Sequence, residues 1–378
     1  MSSPILEQYD DSVTARSLLS RVGIADLTKL PGVTEVAVNR PFEAWTESSA
    51  GWKRHELPEA SLDLLTKYAH ALTIYNKAVP ALGVDDPEKP VVLPDGERGQ
   101  IVIPPMCEPG TVSMTIRIPS ARRFSVRQLA QSGHLSDFRV VTDRSAADDR
   151  PPSAPLQTPG LEMAGFEHVE PMLAAPAVVT LARFELEMLE ALRDRDIERF
   201  LTLATKNRLN IVLVGGTGSG KTTLMKGLAD LVPCHERIAT IEDTHEVPLP
   251  MQPNHVHLFY SDRIPARRAV KATLRMKFDR VYLAELRGDE TWDYLRLLNT
   301  GQPGGITTIH ANDAISALTQ VATLVKQSPV GQTLDWEFLM QLVKTTVDIV
   351  LFMERGTRRL TQVYYDPVTK WKLLRGLV

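Results

Sequence analysis

The residues with the clearest chemistry lie in the stretch GGTGSGKTT, residues 215–223. Gly215, four intervening residues, Gly220, Lys221 and Thr222 satisfy the phosphate-loop pattern. Glycines let successive backbone N–H groups turn towards one anion, and a helix that begins near the lysine points its positive end at the phosphates. We therefore expect ATP to bind here, with Lys221 on the outer phosphates and Thr222 as a ligand of Mg²⁺. The predicted nucleotide-binding residues of the loop are Gly215, Gly216, Thr217, Gly218, Ser219, Gly220, Lys221, Thr222 and Thr223.

Predicted strands downstream of this loop end in acids or in a histidine. The run RVYLAE ends at Glu285, and an acid at this place in a P-loop domain holds the metal or polarises the attacking water. The run RIATIED leads to Glu242, Asp243 and Glu246, which fit a metal-bound water, a ribose or a solvated turn. The run ITTIH ends at His310, which fits a structural role or a sensor of the terminal phosphate.

A basic segment, RIPARRAVKATLRMKFDR, lies between these strands. On a helix, Arg267, Lys271 and Arg275 line up at intervals of four residues. They fit a solvated helix face, an arginine that stabilises charge on the transferring phosphate, or a track for nucleic acid.

Two further histidines, His255 and His257, lie on one face of the predicted strand NHVHLF. Zinc sites in proteins use three or four ligands. Two histidines without a clear third ligand make a poor zinc site, so a structural role is expected.

Alternating strands and helices must position these residues. After residue 176, apolar runs such as NIVLVG and DIVLFME alternate with helical patterns, which predicts an α/β domain with a mainly parallel sheet over residues 177–378. Residues 143–176 contain clustered prolines and predict a linker. Short β-like runs and one helix, Leu62 to Val79, predict a smaller α+β domain over residues 1–142.

Composition limits the class of protein. The chain has 378 residues, a formal net charge of −3 and only two cysteines, which disfavours a disulfide framework and a four-cysteine zinc module. The first residues are acidic and do not resemble a signal peptide, and no apolar stretch is long enough to span a bilayer. We expect a cytoplasmic protein whose contact with membranes is peripheral.

The ordered motifs GGTGSGKTT, IATIEDTHE, VYLAELRGDE and TGQPGGITTIHA resemble those of the secretion ATPase superfamily, which serves type II secretion, type IV secretion and type IV pili. There they correspond to a phosphate loop, an acidic box, a strand that ends in Gly-Glu and a histidine box. The N-terminal stretches PVVLPDGERGQIVIPP and VSMTIRIPSARRFSVRQL are similar to segments of the Vir-type traffic ATPases of type IV secretion. The resemblance runs from about residue 30 to the end of the chain.

This resemblance implies a RecA-like P-loop domain joined to a smaller N-terminal domain. It implies a homo-oligomer, a hexameric ring, at the cytoplasmic face of the bacterial inner membrane. The implied partners are other secretion-system ATPases and inner-membrane channel components, with no direct nucleic-acid binding. The implied activity is hydrolysis of ATP with Mg²⁺, coupled to pilus assembly or substrate translocation.

The resemblance also implies roles for single residues. Glu285 matches the strand-end glutamate that activates water, and His310 matches the last histidine of the histidine box. Glu242 matches the acidic-box glutamate, which we expect to act in catalysis and to hold Mg²⁺ with Thr222. Arg117 matches an arginine of the N-terminal domain that reaches the nucleotide. For an arginine near the transferring phosphate, Arg275 in LRMKFDR is favoured and Arg287 is the second candidate.

Two positions depart from the superfamily pattern. Ala284 replaces the usual glycine before the glutamate, and Gln302 replaces the first histidine of the histidine box. The second change removes a titratable group but keeps a side chain that forms hydrogen bonds.

Three alternative functions remain at this point. A pilus motor or a type II secretion motor would carry the same motifs. A nucleic-acid translocase would bind DNA or RNA in a salt-sensitive way, which the near-neutral net charge disfavours. A scaffold that binds nucleotide without hydrolysing it is disfavoured by Lys221, Thr222 and Glu285.

Overall fold

The computed structural model describes residues 12–48, 50–118, 123–142, 179–261 and 263–377. The chain forms two compact units, residues 1–122 and residues 123–378. The predicted linker, residues 143–176, lies outside the described residues. No helix in the described part of the chain has the length and apolar character that crossing a bilayer requires.

The first unit is an antiparallel sheet with helices, as the predicted α+β domain requires. The strands lie in the order β3-β2-β1-β6-β5-β4, and every neighbouring pair is antiparallel. Its elements are α1 (Val13–Arg21), α2 (Ile24–Thr28), β1 (Glu35–Val38), β2 (Glu43–Ser48), β3 (Gly51–Glu56), α3 (Leu62–Tyr75), β4 (Glu88–Val92), β5 (Arg98–Val102) and β6 (Ser113–Arg117).

Helix α3 begins at the predicted residue and ends earlier than predicted. The Ser61 side chain accepts a hydrogen bond from the backbone of Leu64 and caps the start of the helix. At the other end, the Asn76 amide donates to the carbonyl oxygens of Leu72, at 2.8 Å, and Val92, at 2.9 Å. The asparagine thus ties the last turn of the helix to β4, and the chain leaves the helix there.

The second unit has a sheet of eight strands among the described residues, in the order β10-β9-β11-β12-β8-β13-β14-β7. All neighbouring strands are parallel except β13 and β14. The predicted, mainly parallel α/β fold is therefore confirmed. The strands are β7 (Arg139–Val141), β8 (Ile211–Val214), β9 (Ile238–Glu242), β10 (His255–Phe259), β11 (Arg280–Leu283), β12 (Ile306–Ile309), β13 (Ile349–Met353) and β14 (Leu360–Tyr365).

Alternate residues of the central strand β8 point into two different cores. Ile211 and Leu213 pack in one core and Val212 and Val214 in the other. Both faces of the strand are therefore buried, which explains why its sequence is continuously apolar. The described helices of this unit are α4 (Val126–Gln131), α5 (Arg183–Arg193), α6 (Ile197–Lys206), α7 (Lys221–Ala229), α8 (Ala266–Thr273), α9 (Glu290–Asn299), α10 (Ala314–Gln327), α11 (Trp336–Thr346) and α12 (Pro367–Leu373).

Residues 123–142 belong to the second unit, which corrects the predicted domain boundary at residue 142. Strand β7 pairs with β14, and Val126 and Phe138 are buried in the core that contains α7. A methyl group on Gly227 of α7 would lie 2.9 Å from the carbonyl oxygen of Phe124, so a glycine is needed for this close approach. The sequence predicted the boundary from the proline-rich stretch, but the change of unit comes two elements earlier, before α4 and β7.

A buried ion pair lies at the amino end of β11. The Arg280 side chain is 1% exposed, and its Nε donates to Glu236 Oε2 at 2.5 Å. Arg208, which is partly exposed, reaches the same carboxylate at 3.4 Å. Glu236 is nearly as buried as Arg280, so each charge compensates the other in a place that water does not reach.

We predict that Arg280→Met lowers the free energy of unfolding by about 3 kcal/mol, because it leaves a buried carboxylate with only one distant partner. The exposed pair between Arg183 and Glu187 supplies the control, and Arg183→Met should cost less than about 1 kcal/mol. Urea unfolding of both variants measures the difference. Equal costs would contradict the importance of the buried pair.

Candidate active site

The phosphate loop connects β8 to α7 and runs against β13. Gly215 has a φ of +141°, and a methyl group there would lie 2.2 Å from the carbonyl oxygen of Met353. Only glycine permits this approach. Gly220 has a φ of +97° directly before α7, so the helix begins at Lys221 with its first N–H groups facing the loop.

The side chain of Lys221 folds back onto the start of the phosphate loop. Its Nζ donates to the carbonyl oxygens of Gly215, at 2.6 Å, and Gly216, at 2.9 Å. The side chain is buried, so its charge is held by oxygen atoms of the loop. A phosphate oxygen is a stronger acceptor than these carbonyls, and the ammonium group is already at the place where one would bind.

Glu285, His310 and Arg287 form one cluster at the carboxyl ends of β11 and β12. His310 Nε2 lies 3.0 Å from Glu285 Oε1, and Arg287 Nη2 lies 2.6 Å from Oε2. Arg287 Nη1 also donates to Asp243 Oδ2, at 3.2 Å, which connects the cluster to the end of β9. Both oxygens of Glu285 are therefore held in place, and the carboxylate is 16% exposed.

The charges around this cluster shift its titrating groups. Partial burial and the positive charge of Lys221 lower the pKa of His310, although Glu285 acts in the opposite direction. Burial opposes the charge of Arg287, but the hydrogen bond and charge of Glu285 outweigh it and raise the pKa of the guanidinium. Near neutral pH the Glu285 carboxylate is therefore contacted by a neutral His310 and a charged Arg287.

The structure places Glu246, rather than Glu242, beside the predicted metal ligand Thr222. Thr222 Oγ1 lies 3.3 Å from Glu246 Oε2. Glu242 is fully buried, and its Oε2 accepts hydrogen bonds from the backbone N–H groups of Glu246, at 2.7 Å, and Val247, at 2.8 Å. Its Oε1 accepts from Thr240 at 2.6 Å. Glu242 shapes the turn that presents Glu246.

The arginines predicted from the basic helix are not brought to the loop. Arg267 pairs with Asp293 at 2.5 Å and with Asp289 at 3.3 Å, so the basic face of α8 packs against acids at and near the start of α9. Arg275 is exposed beyond the end of α8, and the described residues show no contact between it and the phosphate loop. Arg117 lies on β6 of the first unit, so its approach to a nucleotide stays a prediction.

Two arginines beside the phosphate loop were not predicted from the sequence. A methyl group on Gly216 would lie 3.4 Å from Arg355 Cδ, and one on Gly220 would lie 3.8 Å from Arg358 Cβ. Both arginines are exposed, in the turn that follows β13. The signal was present as ERGTRR directly after a predicted strand, but nothing local shows that this strand lies beside β8.

Gln302, which replaces a histidine of the superfamily pattern, lies before β12. Its side-chain oxygen is buried and has no hydrogen-bond partner among the described residues. The glutamine therefore keeps a hydrogen-bonding group before the amino end of β12 but adds no charge.

We predict that acid destabilises the protein partly through His310. Its pKa in the folded chain lies below the ordinary value of 6.5, so the unfolded chain binds the proton first as the pH falls through that value. Between pH 7.5 and 5.5 the free energy of unfolding should therefore fall more in the wild type than in His310→Gln. Urea unfolding at several pH values tests this, and an equal or steeper fall in the variant would contradict it.

Known proteins resemble this chain in sequence. The family described as "Type II/IV secretion system protein" matches residues 177–361. The type IV secretion system protein VirB11 of Bartonella quintana is 35% identical over 98% of this chain and 99% of its own length. The type IV secretion system protein PtlH of Bordetella pertussis is 36% identical over 88% of this chain and 90% of its own.

Solved structures give the same result. The crystal structure of the VirB11 ATPase from the Brucella suis type IV secretion system, in complex with sulphate, has a TM-score of 0.51 and 34% identity. It covers 97% of this chain and 98% of the other. The pilus retraction motor PilT with bound ADP, at 16% identity and a TM-score of 0.53, shares the fold. With a full-length likeness to VirB11 proteins in both sequence and structure, the chain belongs to the VirB11 family of type IV secretion system ATPases.

Proposed function

We propose that this chain hydrolyses ATP with Mg²⁺ and that the hydrolysis drives pilus assembly or substrate transfer in type IV secretion. The observation that carries the proposal is the cluster of Glu285, His310 and Arg287 beside the buried ammonium group of Lys221. A phosphate loop alone supports binding. A carboxylate fixed by two partners at the neighbouring strand end supplies the group that hydrolysis needs.

Binding of the triphosphate would use the backbone of the loop and Lys221. The ammonium group exchanges the carbonyl oxygens of Gly215 and Gly216 for phosphate oxygens, which are charged and therefore stronger acceptors. Arg355 and Arg358 lie along the outer side of the same loop and add positive charge there. They are candidates within the same subunit for the role that the sequence assigned to Arg275.

Thr222 and Glu246 suit the metal that accompanies ATP. Mg²⁺ prefers oxygen ligands and is often bound by one or two carboxylates together with phosphate oxygens. The hydroxyl of Thr222 and the carboxylate of Glu246 face each other at 3.3 Å, on the first turn of α7 and the turn after β9. When bound, the ion would neutralise charge on the phosphates.

Glu285 would orient the attacking water. One of its oxygens is held by Arg287 and the other by His310, so the carboxylate has a fixed direction before substrate binds. Preorganised groups of this kind contribute most to the rate because they do not have to reorganise during the reaction. His310 also forms a hydrogen bond with the backbone of Gly215, so the cluster is joined to the phosphate loop that Lys221 contacts.

The proposal includes a homohexameric ring at the cytoplasmic face of the inner membrane, with Arg117 reaching the nucleotide. The partners would be other secretion-system ATPases and inner-membrane channel components. Support comes from family membership. The relatives align with this chain along nearly their whole length, so the alignment includes the N-terminal unit.

We predict that Lys221→Ala abolishes tight ATP binding and that Glu285→Gln lowers the ATPase kcat at least about a hundredfold while ATP still binds. Lys206→Ala, at an exposed position of α6, and Glu187→Gln, at a partly exposed position of α5, are matched controls and should keep wild-type turnover. Phosphate release and nucleotide titration measure both effects. Undiminished turnover in Glu285→Gln would overturn the assigned role, and strong stimulation by DNA at low salt would favour a translocase.

We also predict that Glu246→Gln raises the Mg²⁺ concentration needed for half-maximal ATPase activity by about tenfold, because a neutral amide is a weaker ligand or partner for the ion. Titration of activity with Mg²⁺ at fixed ATP measures this, with Glu187→Gln as the control. An unchanged Mg²⁺ requirement would show that Glu246 does not serve the metal.

A further inference from the structure

We propose that Glu242, His245 and His257 form a binding site for a transition-metal ion of the Zn²⁺ type, separate from the Mg²⁺ that accompanies the nucleotide. One ligand atom from each residue lies within 4.8 Å of the other two. The sequence pointed to His255 and His257 as a pair without a third ligand. The structure selects a different set, because the pairing of β9 and β10 brings His257 close to Glu242.

The distances from both histidines to the carboxylate oxygen suit tetrahedral zinc. Nδ1 of His245 lies 3.6 Å from Glu242 Oε1, and Nδ1 of His257 lies 3.5 Å from the same oxygen. Bonds of about 2.0–2.1 Å from a tetrahedral ion place neighbouring ligand atoms about 3.4 Å apart. Both imidazoles therefore already face the carboxylate oxygen at nearly the separation that a shared ion requires.

The carboxylate is oriented as a metal ligand should be. Its Oε2 is occupied by the backbone N–H groups of Glu246 and Val247, which leaves Oε1 to face the histidines. The Thr240 hydroxyl donates to Oε1 at 2.6 Å and contacts His257 Nδ1 at 2.7 Å. The backbone hydrogen bonds to Oε2 fix the direction of the carboxylate, as is typical of metal sites, whereas a bound ion would replace the Thr240 hydroxyl on Oε1 and Nδ1.

Strand pairing explains how the ligands meet. In the parallel ladder of β9 and β10, His257 lies opposite Thr240, two residues before Glu242 on β9. His245 lies three residues after Glu242, in the turn that folds back over the end of β9, and its ring centroid is 4.3 Å from that of His257. Two elements and one turn thus supply the three ligands.

The burial of Glu242 favours a cation beside it, and the exposure of His245 gives that cation a route of entry. Glu242 is fully buried, and a buried carboxylate is costly unless charge is compensated. Its nearest charge partners are these two imidazoles, and the His245 side chain is 46% exposed. An ion could enter from the His245 side, and water would complete the tetrahedron there, as in sites with two histidines and one glutamate.

Occupancy of this site would act on the nucleotide site through the turn after β9. The backbone of Glu246 bonds to Glu242, and its side chain contacts Thr222 on the first turn of α7. An ion on Glu242 and His245 would therefore fix the turn that presents Glu246. The metal site itself does not depend on ATP binding, so it can be tested without nucleotide.

The test uses the full chain, stripped of metal and free of nucleotide, with Co²⁺ as a spectroscopic probe and Zn²⁺ as competitor. We expect one Co²⁺ per chain, visible bands of tetrahedral cobalt that Zn²⁺ abolishes, and no displacement by millimolar Mg²⁺. His245→Gln and His257→Gln should each weaken binding at least tenfold. His255→Gln is the matched control, since its Nδ1 is held by the carbonyl oxygen of Gln252 and should leave binding unchanged.

Absence of stoichiometric Co²⁺ binding would overturn the proposal, as would equal affinity in the wild type and in both ligand variants. Circular dichroism establishes that the variants are folded. If either variant does not fold, X-ray absorption on the Zn²⁺-loaded wild type decides the question. Two imidazoles and oxygen around zinc support the site, and a sulfur ligand from Cys107 or Cys234 contradicts it.

Discussion

The parallel pairing of β9, β11, β12 and β8 is the constraint on which the active site depends. Parallel strands end at the same edge of a sheet, so four separate stretches of sequence deliver their last residues to one place. The phosphate loop follows β8, the glutamate cluster follows β11 and β12, and the turn with Glu246 follows β9. A shift of one residue in any of these pairings would send the side chains to the other face of the sheet.

Each charged group at this edge is held by a partner within the fold. Lys221 is held by carbonyl oxygens of its own loop, Glu285 by His310 and Arg287, and Glu242 by a threonine and two backbone N–H groups. Charged groups in partly buried positions need such compensation. The same contacts keep the groups in fixed directions, so the stability of the edge and the chemistry proposed for it have a common cause.

Much of this was predictable where the signal is local. The buried run of β8, the glycine at residue 215 and the strand end at Glu285 follow from pattern and spacing. The place of Glu246 was not predictable, because it depends on Glu242 turning inward to bind the backbone of the next turn. Arg355 beside the loop and β7 beside β14 depend on pairings between distant strands, and a strand of three residues has little pattern of its own.

The central claim is that Lys221, Glu246 and the Glu285 cluster surround one nucleotide. A crystal structure of the chain with Mg²⁺ and a non-hydrolysable ATP analogue tests this most directly. The account predicts that Lys221 Nζ leaves the carbonyl oxygens of Gly215 and Gly216 for a phosphate oxygen, that Thr222 and Glu246 face the ion, and that one water separates Glu285 from the terminal phosphate. The nucleotide-bound Mg²⁺ held by Glu242 instead of Thr222 and Glu246, or a terminal phosphate out of reach of Glu285, would contradict it.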